Sequence, residues 1–356
     1  MSLRILSASD VTNIAERFTP KDLVDLMAGV FHSLSTPEIA QKDIVQPHRA
    51  VIPTQNHTVL VMPSSVTEIG TAMKVVSVPT AAAPPAVQAR GLPASTLVLD
   101  QYSGGVRAIV NARNLTALRN AAGSLLATQV LLGRDAAPQT ILAIGAGAQV
   151  AAHLSLFLAC YPSITSCTIL NRTTNMRLEN LSTELHASHP SVTVNTGATN
   201  NNDANIETLV RGANIIITAT SSTTPFFPSS YVSPGTHLCL IGSYTPDMHE
   251  IDTALVKRAG KIVVDSRDAC LHEAGELIAA SCGTDDLVEL GELISRPPGG
   301  NNWTPKQELV DDIRSRSDVT IFKSVGAGIQ DVAIACAVVQ RAEQAQIGMI
   351  VENFDQ

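Results

Sequence analysis

Aromatic side chains and concentrated positive charge are what this sequence most clearly lacks. Aromatics make up 3% of the 356 residues, the formal net charge is −8, and no stripe of lysine and arginine is present. Nucleic-acid-binding proteins usually carry a basic surface and often stack bases on aromatic rings, so we expect no nucleic-acid partner. No apolar run approaches the roughly 18 residues of a membrane-spanning helix, and the N-terminal segment lacks a secretory pattern. We therefore predict a cytoplasmic protein without a membrane partner.

Cysteine and histidine do not form a metal-binding pattern. No C-x-x-C pair occurs, and the nine histidines lack ligand spacing. We therefore expect no metal site, and we interpret the cysteines as reduced, mainly buried thiols. They are Cys160, Cys167, Cys239, Cys270, Cys282 and Cys336.

A glycine-rich turn follows an apolar run near the middle of the chain. Ile141–Ile144 reads as a strand, Gly145 would permit a tight turn, and Gly147 would let the backbone approach a pyrophosphate at the start of a helix. Val150 occupies the position of the third glycine in the full dinucleotide fingerprint, so two glycines alone are weak evidence. The prediction of a dinucleotide site therefore depends on the strands and helices around this turn. The predicted cofactor-binding residues here are Gly145, Ala146, Gly147, Ala148, Gln149 and Val150.

The next strand, Cys167–Leu170, ends without the acidic residue that NAD-binding folds usually place there to bind the ribose. Asn171, Arg172 and Thr173 follow instead. The guanidinium of Arg172 and the polar groups beside it suit a 2′-phosphate, so we predict NADPH (NADP+) in preference to NADH. The alternative is a solvated surface arginine beside a helix-capping threonine.

Apolar strands then alternate with helical segments. This order predicts an α/β fold with a Rossmann-type doubly wound parallel sheet, whose strand ends face the cofactor. Thr220, Ser221 and Gly242 follow two of these strands and are further cofactor candidates. The predicted strands are Val192–Val194, Asn214–Thr218, His237–Ile241 and Lys261–Asp265, and the predicted helices are Ile206–Gly212 and Ile251–Ala259.

The first ~125 residues are rich in proline, serine and valine and contain short runs in which apolar and polar residues alternate. This pattern predicts a separate, partly antiparallel domain. We expect strands at His57–Met62, Ala72–Val78, Thr96–Leu99 and Arg107–Val110, and helices at Pro20–Ser35 and Asn114–Leu132. The helix predicted over Ile329–Gln344 lies beyond the nucleotide-binding unit, and we expect it to pack back on this first domain.

Further short motifs are spread along the chain. They are Pro47-x-Arg49, Met62-Pro63, MKVVSV at 73–78, Gly91-Leu92-Pro93, LTALRNAA at 115–122, IGAGAQV at 144–150, NRT at 171–173, IGSYTPDMHEID at 241–252, VVDS at 263–266, LGE at 290–292 and IFKSVGAGIQDVAIA at 321–335. In their order and spacing, these motifs resemble the ornithine cyclodeaminase/mu-crystallin family over nearly the whole chain. The resemblance implies a homodimer, with a substrate-binding and dimerisation α+β domain from residues 1–125 and 323–356 and a Rossmann domain from residues 126–322. It also implies that Arg49, Lys74 and Arg119 hold a substrate carboxylate beside the nicotinamide, and Arg119 is a further cofactor candidate.

The positions of two of these cations support a binding role independently. Lys74 lies in a strand among valine and methionine, and Arg119 lies near the start of a helix, where cations are disfavoured. We expect an anion beside them, either a substrate carboxylate or a cofactor phosphate. The alternatives are an internal salt bridge, for example to Glu68 or Asp100, and a strand face open to water.

Cyclodeaminases of the family use an aspartate in the loop after the fifth strand, where this chain has Tyr244, with Asp247 three residues later. The absence of that aspartate, the Pro246-Asp247 pair and Asn-Arg-Thr at 171–173 together resemble the pattern of the family's ketimine reductases. Asn120 departs from both groups, which usually have threonine there. We predict NADPH-dependent reduction of a C=N bond in an imino or ketimino carboxylate, with Lys74, Asp247 or Tyr244 as proton donor. The alternatives are ornithine or lysine cyclodeamination, alanine dehydrogenase-like reductive amination, and non-catalytic ligand binding.

Overall fold

The computed structural model describes residues 2–88, 90–199, 206–297 and 302–354. The chain divides into two compact units. Residues 1–119 and 327–356 form one, here called the terminal unit, and residues 120–326 form the other, the central unit.

The N-terminal segment contributes most elements of the terminal unit. Helix α2 shows how the sequence sets an element boundary, because Thr19 and Asp22 form a reciprocal capping box and Pro20 occupies the first turn. The elements are β1 (Leu3–Leu6), α1 (Ala8–Ala15), α2 (Pro20–Leu34), α3 (Pro37–Asp43), β2 (Ile44–Val45), β3 (Ala50–Pro53), β4 (His57–Val66), β5 (Gly70–Pro79), α4 (Pro85–Gln88), β6 (Ala94–Leu99), β7 (Val106–Asn111) and α5 (Leu115–Leu132), which continues into the central unit.

The central unit alternates strands and helices, and the chain then returns to the terminal unit. The central elements are β8 (Thr140–Ile144), α6 (Ala148–Cys160), β9 (Ser166–Asn171), α7 (Met176–Ser188), β10 (Thr193–Ala198), α8 (Ile206–Gly212), β11 (Ile215–Thr218), β12 (His237–Leu240), α9 (Thr253–Arg258), β13 (Ile262–Val264), α10 (Arg267–Glu273), α11 (Gly275–Ala279), β14 (Leu287–Glu289), β15 (Ile294–Ser295), β16 (Thr304–Pro305), α12 (Gln307–Ser315) and β17 (Thr320–Lys323). The returning elements are α13 (Gly328–Ala345) and β18 (Met349–Val351).

The terminal unit is built on one mixed sheet. Its strand order is β18-β1-β7-β6-β5-β4-β2, with β3 paired to β4. Strands β4 to β7 form an antiparallel meander, while β1 runs parallel to β7. Helix α13 packs against β4, β5 and α2. The predictions of a partly antiparallel domain and of a C-terminal helix that packs back on it are confirmed.

The central unit contains a parallel sheet in the order β10-β9-β8-β11-β12-β17-β13-β14. Strands β11 and β12 are buried along their whole length, which is expected when both faces of a sheet are covered. The chain winds outward from β8 in both directions, so the predicted doubly wound fold is confirmed. Strand β17, which lies between the predicted fifth and sixth strands, was not anticipated.

Strand β17 escaped prediction because its buried run is short and ends in a lysine. Lys323 is fully buried, and its ammonium lies 3.1 Å from the carboxylate of Glu276, which is also fully buried. A buried charge is tolerated when a partner of opposite charge is close. Among the described residues, no helix is long and apolar enough to cross a membrane.

Candidate active site

A cavity of about 630 Å³ opens in the central unit where the carboxyl ends of its strands meet. The loops after β8, β9 and β11 form its walls, and the strand order reverses between β8 and β11. Such switch points are where doubly wound sheets bind their ligands. The lining residues are Ile144, Gly145, Ala146, Gly147, Asn171, Arg172, Thr173, Asn175, Arg177, Thr199, Ala219, Thr220, Ser221, Ser222, Thr224, Pro225 and Phe226.

Gly145 allows two of these loops to approach each other. Its φ is +117°, and a Cβ at this position would lie 2.8 Å from the carbonyl oxygen of Ala219. A Cβ on Gly147, which caps α6, would meet no atom within 4 Å, so this backbone segment faces open space. The turn therefore has the shape needed to receive a phosphate against the start of α6.

The first turn of α6 lies behind this glycine turn. Val150 is fully buried, and its Cγ2 atom would be 3.2 Å from a Cβ on Gly145. Val150 thus fills the space beneath the turn where the full fingerprint has a glycine. Ala148, Gln149 and Val150 lie outside the cavity lining, and their role as cofactor-binding residues stays a prediction.

The turn after β9 forms the basic wall of the cavity. Asn171, Arg172 and Thr173 all line it, and the side-chain amide of Asn171 donates to the carbonyl of Thr173 over 2.8 Å. Two further residues, Asn175 and Arg177, were not anticipated. Both arginines are exposed, and neither forms an ion pair with an acidic side chain of the described residues.

Asn175 explains why Arg177 reaches this wall. Its side-chain oxygen accepts hydrogen bonds from the amides of Arg177 and Leu178, each over 3.1 Å, and so begins α7 at the cavity rim. An asparagine cap followed two residues later by arginine was the sequence signal that could have identified this second cation.

Glu250 ties together the loops after β11 and β12. Its carboxylate accepts from the amide of Thr220 over 2.8 Å, the amide of Gly242 over 2.7 Å and the hydroxyl of Thr218 over 2.8 Å. Burial raises the pKa of Glu250, while the charge of Lys323 opposes that shift. Glu250 lies in the motif IGSYTPDMHEID at 241–252, but the sequence pattern did not indicate this role.

Gly242 is required by this close packing. A Cβ on Gly242 would lie 2.1 Å from the carbonyl oxygen of Thr220, a distance that no side chain can adopt. Gly242 is also buried, whereas Thr220 and Ser221 line the cavity. The structure therefore places Thr220 and Ser221 at the cavity and Gly242 behind it.

The terminal unit contains a buried cluster of charges. The ammonium of Lys74 lies 2.6 Å from Asp331, and the guanidinium of Arg119 lies 3.1 Å from the same carboxylate. All three side chains are at most 5% exposed. Arg119 also donates to the side-chain oxygen of Gln330 over 2.6 Å. The cluster therefore joins β5 and α5 to the first turn of α13.

This cluster corrects two statements made from the sequence. The internal salt bridge of Lys74 exists, but its partner is Asp331 rather than Glu68 or Asp100, so a buried cation alone did not require an external anion. Helix α5 begins at Leu115, which places Arg119 in the second turn rather than at the helix start. Asp331 was missed because α13 is distant in sequence and its register on β5 determines which side chain meets Lys74.

Arg49 is the accessible member of the basic trio. It is half-buried, and its positive charge acts on Lys74. Burial lowers the pKa of Lys74, Asp331 opposes this shift, and Arg119 and Arg49 add to it. Burial alone would raise the pKa of Asp331, but Arg119 and Lys74 hold it below its usual value.

Tyr244 and Asp247 lie in the loop after β12 of the central unit, and both are exposed. The hydroxyl of Ser243 closes this loop, because it donates to the carbonyl of Met248 over 2.7 Å and accepts from the amide of Gly275 over 3.1 Å. Among the described residues, no group of three histidine, cysteine, aspartate or glutamate side chains could hold a metal ion.

The family model of the ornithine cyclodeaminase/mu-crystallin family matches residues 8–346. The chain belongs to this family. The assignment made from the sequence motifs is therefore confirmed.

Two curated proteins, both named as reductases, are similar to this chain over most of its length. The chain is 30% identical over 295 residues to ketimine reductase mu-crystallin of Mus musculus, covering 82% of this chain and 83% of that protein. It is 26% identical over 330 residues to a Delta(1)-pyrroline-2-carboxylate reductase of Bacillus cereus, covering 90% and 94% of the two chains.

A solved structure supports the fold of this family member. The Delta(1)-pyrroline-2-carboxylate reductase of Thermococcus litoralis, determined in complex with NADH and L-proline, superposes with a TM-score of 0.78. The alignment covers 97% of this chain and 99% of that one at 23% identity. The agreement confirms the α/β Rossmann-type fold.

Proposed function

We propose that this chain reduces the C=N bond of a small imino or ketimino carboxylate with NADPH. The observation that carries the proposal is the central-unit cavity, whose glycine turn faces open space and whose basic wall holds Arg172 and Arg177. The relatives from mouse and Bacillus cereus, named as reductases of ketimines and of a cyclic imino acid, support the same reaction class.

The central unit supplies the residues for the dinucleotide. Gly145, Ala146 and Gly147 would receive the pyrophosphate, and Thr220 and Ser221 lie on the adjacent wall. Arg172 would pair with a 2′-phosphate, since an exposed guanidinium is well suited to a phosphate and no carboxylate stands at the end of β9. The bound dinucleotide supplies a hydride to the imine carbon.

The terminal unit supplies the residues for the substrate. Lys74 and Arg119 both pair with Asp331, and Arg49 acts on Lys74 with a further positive charge, so this region favours the binding of a substrate carboxylate. The half-buried Arg49 would meet an incoming carboxylate first. We assign the ammonium of Lys74 as the donor that would protonate the nitrogen of a neutral imine, which converts the substrate to the iminium whose carbon accepts a hydride more readily.

The test is turnover of two substrate classes by the purified chain. We expect NADPH oxidation with a pyrroline- or piperideine-carboxylate, faster at mildly acidic pH, where more substrate is present as the electrophilic iminium. We expect no ammonia from ornithine or lysine with catalytic NAD, because Tyr244 replaces the cyclodeaminase aspartate and a phenol is a poor base at neutral pH. Robust ammonia release without net cofactor turnover would instead identify a cyclodeaminase. If neither NADPH oxidation nor ammonia release is detected although NADPH binds, a non-catalytic ligand-binding role would be favoured.

We also propose that the terminal unit forms a homodimer through β3. All four residues of this strand are exposed, with exposed fractions of 57% for Val51 and 50% for Ile52. Val45 on β2 is 64% exposed. An apolar edge strand of this kind favours association with a second copy. In sedimentation experiments we expect a dimer, and a monomer after combined Val51→Glu and Ile52→Glu substitution. A wild-type chain that stays monomeric contradicts the proposal.

A further inference from the structure

Asp331 occupies a central position in the charge cluster of the terminal unit. One oxygen lies 2.6 Å from the ammonium of Lys74, and the other lies 3.1 Å from the guanidinium of Arg119. We propose that Asp331 is a positioning residue, which keeps Lys74 protonated and oriented so that it serves as donor to the substrate. This inference rests on the proposed function, since that function assigns Lys74 to the substrate.

The structure fixes the carboxylate of Asp331 through the start of α13. Gln330 accepts from the amide of Ala327 over 3.0 Å and from Arg119 over 2.6 Å, which links the helix start to α5. A Cβ on Gly328 would lie 2.2 Å from the hydroxyl of Ser64, so only glycine lets α13 approach β4 this closely. This close approach brings the first turn of α13, and Asp331 with it, onto the sheet.

Among the described residues, Asp331 is the acidic partner that forms an ion pair with Lys74. The side chain of Lys74 is 3% exposed, and burial disfavours an ammonium ion. Arg119 on α5 and Arg49 before β3 repel its charge, and Asp331 on α13 attracts it. Cys336 on α13 is a further titratable group that packs on β5, since its sulfur lies against Gly70 at the start of that strand. Burial raises the pKa of its thiol to about 11, so the thiol is neutral at physiological pH and supplies no negative charge.

Removing the charge of Asp331 should therefore change the protonation of Lys74 specifically. In Asp331→Asn, the ammonium would lose the carboxylate that lies 2.6 Å away, while the repulsion from Arg119 and Arg49 remains, so its pKa should fall. A purely structural role of Asp331 would lower stability without moving the pH dependence.

The test measures kcat/KM for a cyclic imino acid across pH in wild type and Asp331→Asn. We expect the alkaline limb, where activity is lost as Lys74 deprotonates, to move at least about one pH unit lower in the variant, a tenfold change in the protonation equilibrium. Asp22→Asn is the matched control, because Asp22 forms a 3.0 Å ion pair with Arg341 on the same helix α13, and it should leave the profile unchanged. An unmoved limb in Asp331→Asn would overturn the proposal.

A second measurement needs neither turnover nor a folded Asp331 variant. The side-chain nitrogen of Lys74 can be observed by ¹⁵N NMR and assigned through its loss in Lys74→Met. We expect a protonated ammonium at neutral pH in the wild type, and a neutral amine would overturn the proposal even if Asp331→Asn does not fold. If no imine is reduced, but Lys74 is protonated and its pKa falls in Asp331→Asn, the proposed function fails. The effect of Asp331 on the protonation of Lys74 would still stand.

Discussion

Replacing Lys74 with methionine is expected to lower kcat/KM for a cyclic imino acid by about 10²–10⁴-fold, the usual contribution of a positioned proton donor. Methionine has a similar length and suits a buried position, and Asp331 keeps Arg119 as its partner. The variant should therefore fold and bind NADPH normally, because the nucleotide site that we propose lies in the central unit. Steady-state kinetics, nucleotide titration and thermal unfolding would measure the three properties.

The matched control is Lys21→Met in the same unit. Lys21 is exposed and pairs with Asp25 one helical turn away, so its loss should leave kcat/KM unchanged. If Lys74→Met retains full activity on carboxylated imines, the substrate site lies elsewhere in the chain.

Replacing Arg172 with alanine is expected to weaken NADPH binding by about 10- to 150-fold while leaving NADH binding nearly unchanged. The range corresponds to losing one charge-assisted contact of about 1.5–3 kcal/mol. Arg177→Ala should act in the same direction, because Arg177 lines the same basic wall of the cavity. Fluorescence titration of each variant with both cofactors measures the selectivity directly.

Arg211→Ala is the control for nonspecific loss of charge. Arg211 lies in the same unit and pairs with Glu207 on α8, away from the cavity lining. Binding of both cofactors should stay at the wild-type level in this variant. Equal affinity of the wild type for NADH and NADPH would contradict the assignment of the arginine wall to a 2′-phosphate.

Local sequence patterns were sufficient for the elements that bury one continuous apolar run. The strands β8, β9, β11 and β12 and the glycine turn at Gly145 could all be predicted, because each depends on residues adjacent in the chain. Strand β17 could not, since its buried lysine is stable only beside Glu276, a partner that no local pattern reveals.

The residues that organise the candidate site were harder to predict than those that line it. Gly145, Arg172 and Thr220 follow strand ends and therefore point to the cavity from sequence alone. Asp331 and Glu250 act through contacts with residues of other elements, Lys74 and Arg119 in one case and Thr220 and Gly242 in the other. Such pairs depend on how separate helices, strands and loops pack against one another, which local sequence patterns do not reveal.

Transfer of deuterium from the cofactor to the substrate tests the central claim most directly. The chain would be incubated with a cyclic imino acid and NADPH carrying deuterium at either prochiral position of nicotinamide C4, and the product would be analysed by mass spectrometry and NMR. We expect a cyclic amino acid with deuterium on its α-carbon from one of the two labelled forms. A product without deuterium from either form, or no product while ornithine releases ammonia with catalytic NAD, would contradict it.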